Sequence, residues 1–178
     1  MTTSIDDDLP GVQTLEDLLG RLRAGYVLLQ PILVEIDDPW SSSDSNAGTD
    51  RTQSVRVPRV VDHDLPDELA GCRFMVVGRK RAADRAPAAF TVGRARSCDV
   101  VVDNFSVSKL HATIAHDHER DLFMLTDHGS RNGTRVDGKA VDPAATAALY
   151  AGAKVSFGAA SYVFLDPPTL RKLARLSS

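Results

Sequence analysis

Residues 90–114 read FTVGRARSCDVVVDNFSVSKLHATI. An Arg follows a Gly directly at the end of a β-rich run, and Ser-Lys-Leu-His at 108–111 leads into the next one. Both pieces lie beside loops rather than inside a core pattern. Loops carried on a rigid scaffold are where binding residues concentrate.

The texture of this stretch continues on both sides. From about residue 71, short β-rich runs recur roughly every ten residues: RFMVVG, AFTVG, CDVVV, LHATIAH, LFMLTD, GTRVDG, AKVSFG and SYVFL. Turn-forming segments separate them, among them DHGSRNG, VDGK and LYAG. Strands this short and this regularly spaced predict an all-β sandwich or barrel. In LHATIAH the alternation puts Leu110, Ala112 and Ile114 on one face, while several other runs are apolar on both faces, as central strands are. At the end of the chain PTLRKLARL (168–176) predicts a short helix carrying Leu170, Leu173 and Leu176.

Upstream, TLEDLLGRLRAGY (14–26) is predicted helical. Leu15, Leu18, Leu19, Leu22 and Tyr26 recur at helical spacing, and Thr14 with Asp17 forms a capping box. Gly20 works against that helix. PILVEI (31–36) reads equally as a strand or as the end of a packed hairpin. Residues 37–53 are Ser-, Asp- and Gly-rich and cannot bury enough area to offset their ordering entropy, so they are expected to be a linker. Trp40 within it is expected to dock elsewhere. The expected organisation is an acidic N-terminal segment with one helix (1–36), the linker (37–53), a lead-in (54–70), a β-sandwich (71–166) and a C-terminal helix and tail (167–178).

The net charge of −3 conceals an asymmetry. Residues 1–70 hold 14 Asp and Glu against 5 Lys and Arg, and residues 71–178 hold 10 against 16. A basic β region is expected to prefer anions, with plain solubility as the alternative. Cys72 and Cys98 form neither a metal-binding spacing nor a disulfide framework. MTTSIDDDLPG is acidic where a signal peptide is basic and then apolar, and YVLLQPILVEI is too short to span a bilayer. A cytoplasmic protein without membrane association is expected. The sequons at Asn104–Ser106 and Asn132–Thr134 are then chance matches.

Three loop clusters stand out in the β region: Gly93-Arg94, SVSKLH with Ser108, Lys109 and His111, and HGSRNGT with Ser130, Arg131, Asn132 and Gly133. Asn-Gly is a strong turn signal because both residues tolerate positive φ. At one end of a sandwich the three would supply two guanidinium groups, an ammonium, a hydroxyl and a carboxamide, with no ionised acceptor among them. Such a set suits a phosphate group. No G-x-x-x-x-G-K-[ST] loop accompanies it, which argues against a nucleoside triphosphate.

At these residues the chain resembles a forkhead-associated (FHA) domain. The resemblance rests on VGR (92–94), CDVVVD (98–103), VSKLHA (107–112) and DHGSRNGTRVDG (127–138), in that order, with GAKVSFG and YVFL where the family has its closing strands. It implies an FHA-type β-sandwich, without catalysis or cofactor, that recognises phosphothreonine in partner proteins of Ser/Thr-kinase signalling. By the same resemblance Arg94 is the phosphate-binding Arg, Ser108 the hydroxyl donor and Asn132 the ligand of the peptide backbone. Lys109 stands where the family commonly has Arg or Asn, and Arg131 where it often has Thr. That departure points toward an acidic flank in the peptide. Gly93, His111 and Gly133 are expected to support the site structurally.

Other chemistries fit less well. His116-Asp117-His118 lacks an evident third metal ligand and reads as a polar turn. Ser108, His111 and Asp127 have the residue types of a hydrolytic triad but no nucleophile elbow. The basic run GRKRAADRAP (78–87) has no aromatic residue to stack a base, which argues against nucleic acid. A phosphorylated leader threonine, with Thr3, Thr49 and Thr52 as candidates, would allow self-association through the same site. The competing reading is an adaptor that binds an unphosphorylated protein surface.

Overall fold

The computed structural model describes residues 12–36, 67–78, 89–143 and 145–176. Trp40, the linker 37–53, most of the lead-in, the basic run beyond Gly78, and Thr3, Thr49 and Thr52 lie outside the described residues. The described chain runs α1 (Leu15–Arg23), β1 (Ile32–Ile36), α2 (Asp67–Ala70), β2 (Phe74–Val76), β3 (Ala89–Gly93), β4 (Val100–Val101) and β5 (Ala112–Asp117). It continues through β6 (Leu122–Asp127), β7 (Thr134–Val136), β8 (Lys139–Ala140), β9 (Thr146–Leu149), β10 (Lys154–Phe157) and β11 (Ala160–Leu165) to α3 (Pro167–Leu176).

Among these residues the strands form two sheets, ordered β2-β1-β11-β10-β7-β8 and β4-β3-β5-β6-β9. The chain is thus mainly β, a two-sheet sandwich with helices at its N- and C-terminal ends. Apolar side chains from both sheets meet between them, including Leu33, Val92, Ile114, Leu125, Val155, Phe157 and Phe164. Strand β5 connects the second sheet through Phe90↔Ile114 to β3 and through Ile114↔Leu125 to β6. Gly93, Arg94 and the 102–111 segment therefore emerge together at one end.

Strands β1 and β11 are apolar on both faces because each separates two apolar layers. In β1, Leu33 joins the sandwich interior, while Ile32 and Val34 join a second cluster. In β11, Phe164 faces the interior and Val163 and Leu165 face outward. The outward layer is covered by α1 through Leu15, Leu18 and Leu19 and by α3 through Leu170, Leu173 and Ala174, with Leu69 of α2 beside them. Each Leu fully removed from water there contributes about 1.5–3 kcal/mol. The capping box forms as the sequence predicts: Thr14 Oγ1 accepts from the Asp17 N–H, and Asp17 accepts from the Thr14 N–H. The two helices also meet through Arg23, whose Nε donates to the Ala174 carbonyl at 3.1 Å.

Four expectations change. PILVEI is a strand, and it pairs with β11 in the register Ile32↔Leu165, so the six-stranded sheet draws on residues well before 71. The strand beginning at Ala112 excludes Leu110, which is 47% exposed at the end of the β4–β5 loop. Leu176 is 45% exposed at the last turn of α3, beyond the covered stripe. Finally, β8 and β9 form in residues for which no strand was expected. β9 is Thr-Ala-Ala-Leu, an edge strand with weak β propensity held by its register on β6, Phe123↔Leu149.

Candidate functional site

The site begins where β3 ends. A Cβ on Gly93 would lie 2.3 Å from the Lys109 carbonyl oxygen, so only glycine permits this approach of the β4–β5 loop. The approach lets Arg94 N–H donate to Ser108 O at 2.9 Å and Ala95 N–H to Lys109 O at 3.0 Å. The buried Cys98 thiol donates to the same Lys109 carbonyl at 3.2 Å. Arg94 is half-buried, and its Nε donates to Val107 O at 3.2 Å. The guanidinium lies over the Phe105 ring, 5.9 Å from its centre. Among the described residues no carboxylate pairs with Arg94, Lys109 or Arg131. The cationic groups are thus left for an external anion.

Ser108 joins the loops. Its carbonyl takes the Arg94 N–H, its hydroxyl oxygen takes the Arg131 N–H at 3.1 Å, and its own N–H donates to His111 Nδ1 at 3.0 Å. Because the oxygen already accepts, the hydroxyl proton is free to be donated outward. His111 is fully buried, and its Nε2 donates to the Gly133 carbonyl at 3.2 Å. Burial pushes its pKa below the ordinary 6.5, outweighing the Gly133 hydrogen bond and the Asp127 charge. Both ring nitrogens are occupied by backbone groups, so His111 has none with which to activate the Ser108 hydroxyl. It ties the β4–β5 loop to the β6–β7 loop, a structural part that the resemblance implied.

The β6–β7 loop is fixed by Asp127. Its carboxylate accepts from the Ser130 N–H at 2.8 Å, the Ser130 hydroxyl at 2.7 Å and the Thr134 hydroxyl. Burial pushes the Asp127 carboxyl up, but these hydrogen bonds, with the nearby His111, hold it below its ordinary value. Gly133 has φ +73°, a conformation that favours glycine, and its carbonyl takes both His111 Nε2 and the Gly158 N–H. Arg131 and Asn132 project from this loop exposed, and Asn132 Nδ2 donates to Ser106 O at 2.7 Å. Lys109 is also exposed, held by its backbone alone.

Arg94, Ser108, Arg131 and Asn132 are therefore linked by one chain of hydrogen bonds, with Lys109 beside it. Sequence reasoning missed Phe105, Ser106 and Gly158. Asn104 Oδ1 accepts from both the N–H and the hydroxyl of Ser106, at 2.9 and 2.7 Å, and Ser106 Oγ accepts from Ala159 N–H at 2.8 Å. Gly158, with φ +59°, leaves no room for a Cβ beside Ser106 O. The Asn-x-Ser pattern signals such an Asx turn as well as a sequon.

The other histidine cluster lies away from this end, at the β5–β6 turn. His116 Nδ1 and His118 Nδ1 are 2.9 Å apart, and His116 Nε2 contacts Asp121 at 3.1 Å. Among the described residues no group of three His, Cys, Asp or Glu is arranged to hold a metal ion. No helix among them is long and apolar enough to cross a membrane.

Parts of the chain are similar to known proteins. Angiogenic factor with G patch and FHA domains 1 of Mus musculus is 40% identical over 53 residues, and the human protein of that name matches to the same extent. That stretch is 29% of this chain but only 8% of the mouse protein and 7% of the human one. An FHA domain of an Arabidopsis thaliana hypothetical protein is 27% identical, with a TM-score of 0.42, covering 48% of this chain and 74% of that one. The N-terminal FHA domain of S. cerevisiae Rad53p, solved with a phosphothreonine peptide, is 23% identical with a TM-score of 0.42, covering 53% of this chain and 87% of that one. Residues 90–158, from β3 through the end of β10, match the family described as FHA domain. Over that segment, less than half of its length, the chain is similar to the FHA-domain family.

Proposed function

We propose that this chain is a phosphothreonine-peptide reader that joins proteins in Ser/Thr-kinase signalling and performs no chemistry of its own. The observation that carries the reading is the position of Ser108. Its carbonyl holds the Arg94 backbone, its hydroxyl oxygen holds the Arg131 backbone, and its proton is left to donate beside a guanidinium that no carboxylate among the described residues pairs. A phosphate offers three strong acceptor oxygens and nearly two negative charges, which such donors match. Arg94 and Ser108 take the phosphate, Asn132 takes the peptide backbone, and Lys109 and Arg131 favour an acidic flank. Gly93, His111 and Gly133 hold the loops in place. The site needs no cofactor. The family match over residues 90–158 supports this assignment.

The test is capture from a degenerate phosphothreonine peptide library, beside phosphoserine and unphosphorylated pools, by the native protein and by Arg94→Ala. Selective phosphothreonine capture by the native protein is expected, with a loss of about 2–5 kcal/mol of binding in Arg94→Ala. The thermal midpoint should change little, because Arg94 contributes one side-chain hydrogen bond to the fold. Equal capture by the two folded proteins overturns the assignment of Arg94. Capture of none of the pools favours the phosphate-independent adaptor. A phosphorylated Thr3, Thr49 or Thr52 would be a ligand from the chain itself, and mass spectrometry of the protein from cells decides whether that modification occurs.

A further inference from the structure

We infer that Phe105 is a specificity-determining residue of this site: an aromatic platform that selects ligands with an apolar side chain near the phosphothreonine. The inference rests on the phosphothreonine reading above. Phe105 is 96% exposed, and it belongs to neither apolar cluster of the fold. An isolated exposed apolar side chain is ordinary on a protein surface, so exposure alone carries nothing. Two further observations do.

The first is how firmly the ring's backbone is held. Asn104 Oδ1 accepts from the Ser106 N–H and hydroxyl on one side of Phe105, and the Asn104 carbonyl takes the Val107 N–H at 3.0 Å. Ser106 is in turn fastened to Ala159 of the β10–β11 turn and to Asn132 of the β6–β7 loop. A residue held on three loops meets a ligand already ordered, so less entropy is lost on contact.

The second is where the ring stands. Its centre is 5.9 Å from the Arg94 guanidinium carbon, and Arg94, Ser108, Lys109, Arg131 and Asn132 at this end are polar or charged, while Leu110, 47% exposed, is a second apolar side chain of the same loop. An extended peptide advances about 3.3 Å per residue, and side chains about two positions apart share a face. With the phosphate on Arg94, the ring falls beside the ligand side chain about two positions from the phosphothreonine. Phe105 offers an apolar surface within that reach, so it rewards Leu, Ile, Met or an aromatic residue there. The same ring restrains the guanidinium by a cation–π contact. It thus touches both the phosphate-binding group and the flank.

The experiment compares the native protein, Phe105→Ala and Phe105→Leu by fluorescence anisotropy. The ligands are phosphothreonine peptides with Leu, Phe, Ala or Ser placed two positions before or after the phosphothreonine. The native protein should prefer the Leu and Phe peptides over the Ser peptides by about tenfold. Phe105→Ala should bind all of them with nearly equal affinity, with its thermal midpoint unchanged because the side chain is solvent-exposed. Phe105→Leu keeps an apolar surface without the cation–π contact. It should retain part of the preference while binding every phosphopeptide more weakly. The same flank profile in the native protein and Phe105→Ala overturns the inference, as does a uniform loss of affinity in Phe105→Ala with the preference intact. Binding to no phosphothreonine peptide by the native protein overturns the phosphothreonine reading itself and this inference with it.

Discussion

At position 93 the absence of a side chain sets how near the β4–β5 loop comes to the end of β3. Adding a methyl group there drives into the Lys109 carbonyl, which is already fixed by Ala95 N–H and the Cys98 thiol. Gly93→Ala should therefore cost about 1–3 kcal/mol of stability, read as a lower urea midpoint, and should weaken phosphopeptide binding as Ser108 shifts. An unchanged midpoint would show that the loop yields without strain. Arg94, Ser108 and Asn132 could be singled out before the fold was known because their residue types offer donors to an anion, and Gly93 and His111 because their motifs resemble those of the FHA family. Ser106 could not. Its partners Ala159 and Asn132 are 53 and 26 positions away, and a Ser in a turn does not reveal contacts at that distance. Phe105 was equally hidden, since an aromatic residue between polar neighbours reads as core until its exposure is known.

Among the elements, the helices differ from the sandwich in what they cover. α1 and α3 form a lid over the outer face of β1 and β11 rather than over the site. Leu18, fully buried at the centre of α1, tests that packing. Leu18→Ala should cost about 2–5 kcal/mol in chemical denaturation while leaving the affinity of the folded protein for phosphopeptide unchanged. A loss of affinity at constant folded fraction would instead couple the helical layer to the binding loops. The helical spacing of Leu15, Leu18 and Leu19 and the Thr14–Asp17 box made α1 legible from sequence. β1 was ambiguous because ILVEI is apolar on consecutive positions, and a strand buried on both faces has no alternation to read. β9 was missed for the opposite reason: two of its four residues are Ala, and its state is set by pairing with β6.

For the molecule as a whole, His111 and Asp127 make stability depend on acid. The buried imidazole has a pKa below the ordinary 6.5, so once the pH falls beneath that value the unfolded chain binds a proton that the folded chain resists. Stability is then lost with falling pH until the depressed native value is passed. Asp127 acts with the same sign in a lower window: its hydrogen-bonded carboxylate stabilises the fold above the ordinary 3.8, and that contribution disappears as the pH drops through its depressed value. The urea midpoint should accordingly fall between about pH 7 and about pH 5, with the His111 ring still neutral by NMR somewhat below its ordinary value. A flat midpoint over that range would mean that His111 titrates alike in both states. The six-stranded sheet also imposes an order in time. β1 pairs on one side with β2, but its other edge receives β11, which is made long after it. At about 5–20 residues per second of synthesis, that edge stays open for on the order of ten seconds. Ile32 and Val34 wait for the layer completed by α3 over the same interval. During translation the nascent chain thus carries an unpaired, apolar strand, and a chaperone that shields such edges is most useful to this protein before β11 and α3 have left the ribosome.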